Sequence, residues 1–541
     1  MTRIKTNKRG PLKASGDFAG IESGSSPSFF AAWHWWLPPA LLSLALILYF
    51  VDPFVGDWDA YDYTILSLAG YPSSMALGRN LFIFWNHGLY HLANTLFQVQ
   101  PEDAYLIFKY AVVAQGPLAV IASWALAREV VGSLHAATLA ALFVVFSPVF
   151  VLYGGQVMTD VPSVLFLALA LTIHLRGLQR QSWWLVLASA ALLGLGVNLR
   201  ETVAFYAPWL VLAPFVCGWK PSRRTLLFVA VSVFVFLLFS LSWFGYWFLT
   251  DPHYRWVWNG WRQSMAQESA RHPVTINNLK PYLVFFFISA PLILITLPFA
   301  AVREWLSRGL SPVLLLAVVG LFANILLFFN YSTAVNWRYF LTGLPALAPL
   351  SASFLMVGLT GILRSRRVAF ASCAVLLAGF AIFFSIYMKP MSREYVEKRA
   401  LSKEYREQLV KLPHNAVMMS GGQTIAVKYW AAIGSGDWET IGTGGGWPAE
   451  HLIPIIDGYL AEERPVFIDT DPHLWSPCSW QRYEIPAIVD LEQRFNFRQV
   501  TETIYELRPL SDDSALDVPQ LERLLPENRP EETIGCPPTR S

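Results

Sequence analysis

The stretch "TLLFVAVSVFVFLLFSLSWFGYWFL", residues 225–249, decides the fold: it runs for 25 residues without a charged side chain, directly after Arg223 and Arg224. A bilayer core about 30 Å thick is crossed by roughly 20 helical residues, and inside it every backbone polar group must be satisfied within the segment. Such a run predicts a membrane-spanning helix. Further apolar runs of similar kind lie at roughly 34–51, 106–126, 135–153, 161–175, 183–199, 203–218, 281–302, 310–330, 339–361 and 368–387. In a chain of 541 residues that is 54% hydrophobic and only 14% charged, the pattern predicts an α-helical polytopic membrane protein of about eleven transmembrane helices. The first run has a basic lead like that of a signal peptide, but no small-residue cleavage pattern follows "LALILYFVDPF". It is expected to stay as a span.

Charge placement orients the spans. With a cytoplasmic N-terminus, the inner segments hold the basic residues of 1–33 together with Arg128, Arg176, Arg180, Lys220, Arg223, Arg224, Arg303, Arg308, Arg364, Arg366 and Arg367. The outer loops, longer in total, hold only Arg79, Arg200, Arg255, Arg262, Arg271, Lys280 and Arg338. The excess of Lys and Arg on one side sets the expected topology, with the segment after the last span outside the cytoplasm. The overall net charge of +2 carries less information than this asymmetry.

Four regions follow from composition. Residues 1–33 are expected to form a disordered cytoplasmic lead, 34–387 the transmembrane region, 388–510 an extracytoplasmic α/β domain and 511–541 a polar, proline-rich tail. Within 388–510, "HNAVMMSGG", "RPVFIDTDP" and "RQVTETIYELRP" are expected as strands, "QTIAVKYWAAIG" and "IPAIVDLEQRFNF" as helices. The run "GTGGGWP" at 442–448 lacks the Lys-Ser/Thr ending of a phosphate loop and is expected to be an ordinary loop. Cys217, Cys373, Cys478 and Cys536 have no metal-type spacing. Cys217 and Cys373 fall in spans as small core residues, and Cys478 and Cys536 share the outer segment.

Polar residues concentrate on the outer face. The first outer loop, 52–105, carries "VGDWDAYDYT" at 55–64, with Asp57, Asp59 and Asp62 in six positions, followed by Arg79, His87 and His91. Its piece "NLFIFWNHGLYHLANTLF" is amphipathic and is expected to lie along the membrane interface. The second loop, "YGGQVMTDVPSV", places Asp160 between two apolar runs, where it either has a functional partner or caps the next helix ahead of Pro162. In "NLRETVAF", Arg200 and Glu201 fill the turn between two spans, and "NYSTAVNWRYFLTGLP" puts Asn336, Arg338 and Tyr339 before another. An arginine at a span end can snorkel to headgroups or bind an anion.

Four motifs in this order, "GDWDAYDY", "QVMTDVPSV", "GLGVNLRET" and "NWRYFLTGLPALAPL", resemble the GT-C superfamily of polytopic glycosyltransferases, in particular its protein O-mannosyltransferase and aminoarabinose-transferase-like branch. The resemblance covers about 34–387 and extends to the outer α/β domain. It implies a donor sugar carried on polyprenyl phosphate and transferred with inversion, at the outer face of the plasma (inner) membrane, to an acceptor protein, lipid or glycan, with no nucleic-acid partner. A lipid-anchored donor needs no dinucleotide-binding fold, so the absence of that fingerprint is expected. The resemblance places the family's first-loop catalytic acid on Asp57 or Asp59, with Asp160 as a second acid. The family's usual Asp-Glu pair is here Asp-Trp-Asp. Arg200 and Arg338 are expected to hold the donor phosphate, with Glu201, Tyr339, Arg79 and His87 as further substrate-binding candidates. No cofactor follows from the resemblance with certainty: some members use a divalent cation, Mg2+ or Mn2+, for which Asp57, Asp59 and Asp160 offer oxygen ligands, and others use none. The competing readings are a lipid or solute transporter or flippase, whose charged groups belong near the midplane, and an outer-face glycan polymerase or ligase.

Overall fold

The structure, a computed structural model, describes residues 29–51, 58–73, 79–271, 279–330, 337–362, 366–420, 424–442, 449–470 and 485–510. The helices in chain order are α1 (Trp33–Phe50), α2 (Trp58–Ala69), α3 (Asn80–Phe97), α4 (Ala104–Val131), α5 (Leu134–Val145), α6 (Pro148–Gly154), α7 (Asp160–Gln179) and α8 (Trp183–Val197). They continue as α9 (Ala207–Val216), α10 (Arg223–Thr250), α11 (Pro252–Arg271), α12 (Leu279–Ser289), α13 (Pro291–Arg308), α14 (Pro312–Asn330), α15 (Leu344–Ile362) and α16 (Arg366–Leu409).

The chain is a multi-pass membrane protein by these helices. Among the described residues, Phe30–Phe50, Pro101–Val131, Asp160–Gln179, Arg223–Thr250 and Arg338–Gly358 are each long and apolar enough to cross a bilayer. Two apolar runs that looked continuous in sequence are bent. The run at 135–153 breaks between α5 and α6 by 65°, and that at 281–302 breaks between α12 and α13 by 102°. Proline accounts for both: Ser147 and Ala290 precede Pro148 and Pro291, are held out of helical geometry, and each proline opens the next helix. Shorter apolar helices cover Trp183–Val197, Glu201–Val216 and Pro312–Ile325.

In the bundle, α4 packs on α1 and α7, α7 on α8, and α8 on α10. The lipid side of α10 is evident from large exposed apolar residues such as Leu227, Phe234 and Leu249, which water would not tolerate as one surface. The opposite side approaches α8 closely at Gly194, where a Cβ would lie 2.6 Å from the Phe236 carbonyl oxygen. That approach lets Asn198 Nδ2, at the end of α8, donate to Phe239 O at 2.6 Å. The Asn198 carbonyl in turn accepts from Leu81 N at 3.0 Å. The start of α3 is thereby fastened to the turn that holds Arg200 and Glu201.

Beyond the bundle lie β1 (Val417–Ser420), α17 (Thr424–Ala432), β2 (Glu439–Gly442), α18 (Ala449–Ala461), β3 (Val466–Asp469), α19 (Ile485–Glu492), β4 (Phe495–Gln499) and β5 (Ile504–Pro509). The sheet order is β2-β1-β3-β5-β4, with β1 parallel to β2 and β3, and β5 antiparallel to β3 and β4. Two sequence expectations change here. The helix over "IPAIVDLEQRFNF" stops at Glu492, and the single strand over "RQVTETIYELRP" is a hairpin, β4–β5. The turn is held by side-chain chemistry: Ile504 N donates to Thr501 Oγ1 at 3.1 Å. Strand alternation gives the sheet two cores. Val417, Met419, Val466 and Ile468 pack with α18 and α19, whereas Met418 and Phe467 join α17 in a core continuous with the bundle. α16 runs unbroken past residue 388 as 44 residues, leading from the bundle to the sheet.

Candidate active site

Asp59 is the second residue of α2, and its Oδ2 lies 2.7 Å from Arg338 Nη2. Arg338 comes from a 3-10 turn, Trp337–Gly343, that leads into α15. Asp160, the first residue of α7, lies 2.5 Å from Arg200 Nη1 through its Oδ1. Thr159 is the N-cap and offers no side-chain cap, so Asp160 serves that helix as a first-turn acid while ion-paired across the bundle. Arg200 itself is the extended residue before the 3-10 turn Glu201–Tyr206. Arg79 approaches Glu201 at 3.7 Å. Its backbone has φ +81°, a left-handed conformation rarely adopted outside glycine, which turns the chain sharply into α3.

Two tyrosines lie under the cations. The guanidinium carbons of Arg200 and Arg338 are 5.1 and 5.6 Å from the Tyr339 ring centre, and that of Arg79 is 5.4 Å from the Tyr63 ring centre. Aromatic faces attract cations, and more so where water is excluded. Arg79, Arg200 and Arg338 are all buried, as is Asp160. Three guanidinium groups thus face the carboxylates of Asp59, Asp160 and Glu201 in one cluster.

Proton affinities follow from this arrangement. Burial pushes the Asp59 carboxyl up, but Arg338, Arg79 and Arg200 together outweigh it and hold the group below the usual carboxylate range. Asp62, one turn further along α2, is pushed up to about 6, by burial first and by the neighbouring Asp59 charge second, against the pull of Arg79 and Lys428. Burial also raises the Tyr63 hydroxyl well above its ordinary value. Arg79 is kept firmly charged: burial opposes its charge, but Tyr63, Glu201 and Asp59 favour it more. Some donors are unspent. Arg200 Nη2 and Arg79 Nε are buried and make no hydrogen bond among the described residues.

Of the residues singled out in the sequence, Asp59, Asp160, Arg79, Arg200, Glu201, Arg338 and Tyr339 come together. Asp57 and Asn336 lie outside the described residues. His87 is held elsewhere: its Nδ1 donates to Ser67 O at 2.8 Å and its ring meets His91 at 4.3 Å, tying α3 to α2. Sequence reasoning missed Tyr63, although it stands four residues after Asp59, the spacing that puts two side chains on one helical face. The described acids do not assemble a cage for Mg2+ or Mn2+. Asp59 and Asp160 each hold an arginine, and no three His, Cys, Asp or Glu side chains gather as ligands among the described residues.

A family model of the dolichyl-phosphate-mannose-protein mannosyltransferases matches residues 86–243, a segment that contains Asp160, Arg200 and Glu201. No curated protein matches the chain by sequence. Among solved structures, the chain is similar to ArnT from Cupriavidus metallidurans bound to undecaprenyl phosphate. There the TM-score is 0.58 at 14% identity, covering 89% of this chain and 99% of that one. It is similar also to the archaeal oligosaccharyltransferase AglB from Archaeoglobus fulgidus in complex with an inhibitory peptide and a dolichol-phosphate. That TM-score is 0.52 at 11% identity, covering 90% of this chain and 75% of that one. At these identities the likeness is one of fold, and it agrees with the polytopic helical architecture expected from the sequence.

Proposed function

We propose that this chain is a membrane glycosyltransferase that takes a sugar from a polyprenyl-phosphate donor and transfers it, with inversion, to a protein, lipid or glycan acceptor at the outer face of the membrane. The observation that carries the reading is the set of three buried arginines around Asp59, two of them with unspent N–H groups. A buried donor without a partner costs about 1–3 kcal/mol, so such groups favour the binding of an anion. A phosphate on a lipid chain is an anion that reaches a protein from within the bilayer. The similar fold of ArnT with bound undecaprenyl phosphate supports the same reading.

The chemistry then divides among named side chains. An acceptor hydroxyl attacks the anomeric carbon as the bond from that carbon to the phosphate oxygen breaks, and its proton passes to a carboxylate, Asp59 in this reading. The electron pair of the broken bond stays on the phosphate, where Arg338, Arg200 and Arg79 meet the growing charge. Asp160 holds Arg200 in place through their ion pair. No step is routed through a divalent cation. The orientation is supported by the distribution of Lys and Arg along the chain, with the sheet domain extracytoplasmic.

The test is an assay of the purified full chain in bilayer discs with a panel of polyprenyl-phosphate sugars. The parent is expected to transfer sugar from at least one donor, and Asp59→Asn to lower transfer at least about a thousandfold while the protein stays folded. Full activity in Asp59→Asn would move the base elsewhere, and a parent inert towards every donor would refute the function.

A further inference from the structure

Tyr61 lies between Asp59 and Asp62 on α2, and it is gripped from outside the bundle. Its hydroxyl is 2.7 Å from Ser402 Oγ on α16, and its ring centre is 4.8 Å from that of Tyr429 on α17. All three side chains are buried. Tyr429 is the hub of the contact. Tyr61 on α2, Tyr105 on α4, Arg406 on α16 and Asp103 before α4 lie around it, while next to it Arg406 covers the Trp430 ring at 4.6 Å. A helix as short as α2, 12 residues, has little stability of its own and takes its position from what packs on it. α2 packs on α3, α4 and α17. Arg338 therefore meets α2 at Asp59, while α16 and α17 hold it two residues later at Tyr61.

We propose that Tyr61 is a positioning residue, seated by Ser402 and Tyr429, through which the part of the chain outside the bundle sets where Asp59 stands. The inference rests on the glycosyl-transfer reading above. In it, the α/β domain is part of the active site's framework. A base displaced by a fraction of an ångström still binds the donor's phosphate partners normally but accepts the acceptor proton less often, so the loss falls on turnover.

The experiment compares the full chain with Tyr61→Phe, Ser402→Ala and the double variant in bilayer discs, measuring kcat and donor KM together with the folded fraction. Tyr459→Phe, which removes a hydroxyl bonded to Glu439 on the sheet, is the control. The expected result is a fall in kcat of about three- to tenfold in each single variant, the range one hydrogen bond covers, with donor KM within about twofold of the parent. The double variant is expected to be no worse than either single one, since both remove the same bond, and the control is expected to match the parent. Single variants with unchanged kcat, losses that multiply in the double variant, or a fall in rate matched by a fall in folded fraction would each overturn the proposal. A parent that transfers no sugar from any donor overturns the glycosyl-transfer reading and this inference with it; an active parent with indifferent variants overturns only this one.

Discussion

Replacing Arg200 with methionine is expected to destabilise the protein by about 3–5 kcal/mol at pH 7, and the structure explains why. Arg200 and Asp160 approach to 2.5 Å with both side chains almost wholly shielded from solvent. Two unit charges at that distance attract by about 6–7 kcal/mol in an effective dielectric of about 20. Desolvating both groups offsets most of that attraction, so the pair as a whole adds little, but removing one partner strands the other. A carboxylate left without its cation inside the bundle keeps the full cost of its lost hydration. Reversible denaturant titration of the full chain in discs at pH 7 checks the sign and size. The double variant Arg200→Met with Asp160→Asn is expected to recover more than half of the loss. A penalty below about 1 kcal/mol, or a double variant as unstable as the single one, would refute the reasoning.

Two further outcomes follow from the charges on α2. Arg338→Gln removes the cation that most depresses Asp59, so the acid limb of the pH–rate profile is expected to move to higher pH; an unmoved limb would take the base role away from Asp59. Asp62 is raised in the fold to about 6, so its ionisation costs stability as pH rises from about 4 through 6. Asp62→Asn is therefore expected to unfold about 1 kcal/mol less readily than the parent at pH 8, after allowance for partial solvent screening, and to match it at pH 4. A gain that persists at pH 4 would mean that packing, and not charge, is responsible.

How much of this was legible in the sequence depends on whether the deciding physics is local. The run at 225–249 declares a span because burying an unpaired backbone in lipid is forbidden wherever it occurs. The break at Pro291 was equally local and visible, yet the surrounding hydrophobicity outweighed it and the run at 281–302 looked straight. The hairpin β4–β5 was hidden because its turn uses threonine side chains in place of glycine or asparagine. At the site, the residue types could be read, but not the pairing. Nothing in "GDWDAYDY" says that Asp59 meets Arg338, which sits before the late span α15. The αL backbone of Arg79 carries no sequence signal at all, since glycine would be expected there. Tyr61 and Ser402 were invisible because their bond joins the segment after the first span to a residue more than three hundred positions away, in the part of the chain expected to be the α/β domain.

The charge balance of the cluster bears on how the reaction would begin. Among the described residues three arginines are matched by Asp59, Asp160 and Glu201. An incoming phosphate must therefore compete for cations that are already engaged, and the three contacts differ in how firmly they are held. Arg79 and Glu201, at 3.7 Å, are loosely paired. Arg200 is tightly bound to Asp160 yet keeps Nη2 unspent, so it can accept an anion without leaving its partner. Arg338 is bound through Nη2 to Asp59, the carboxylate proposed as the base. Each fraction of Arg338 that turns to the phosphate is lost to Asp59, whose proton affinity rises as the cation withdraws. On this arrangement the donor that needs a base also creates one, and the carboxylate stays a weak base, protected from idle protonation, until the phosphate has arrived.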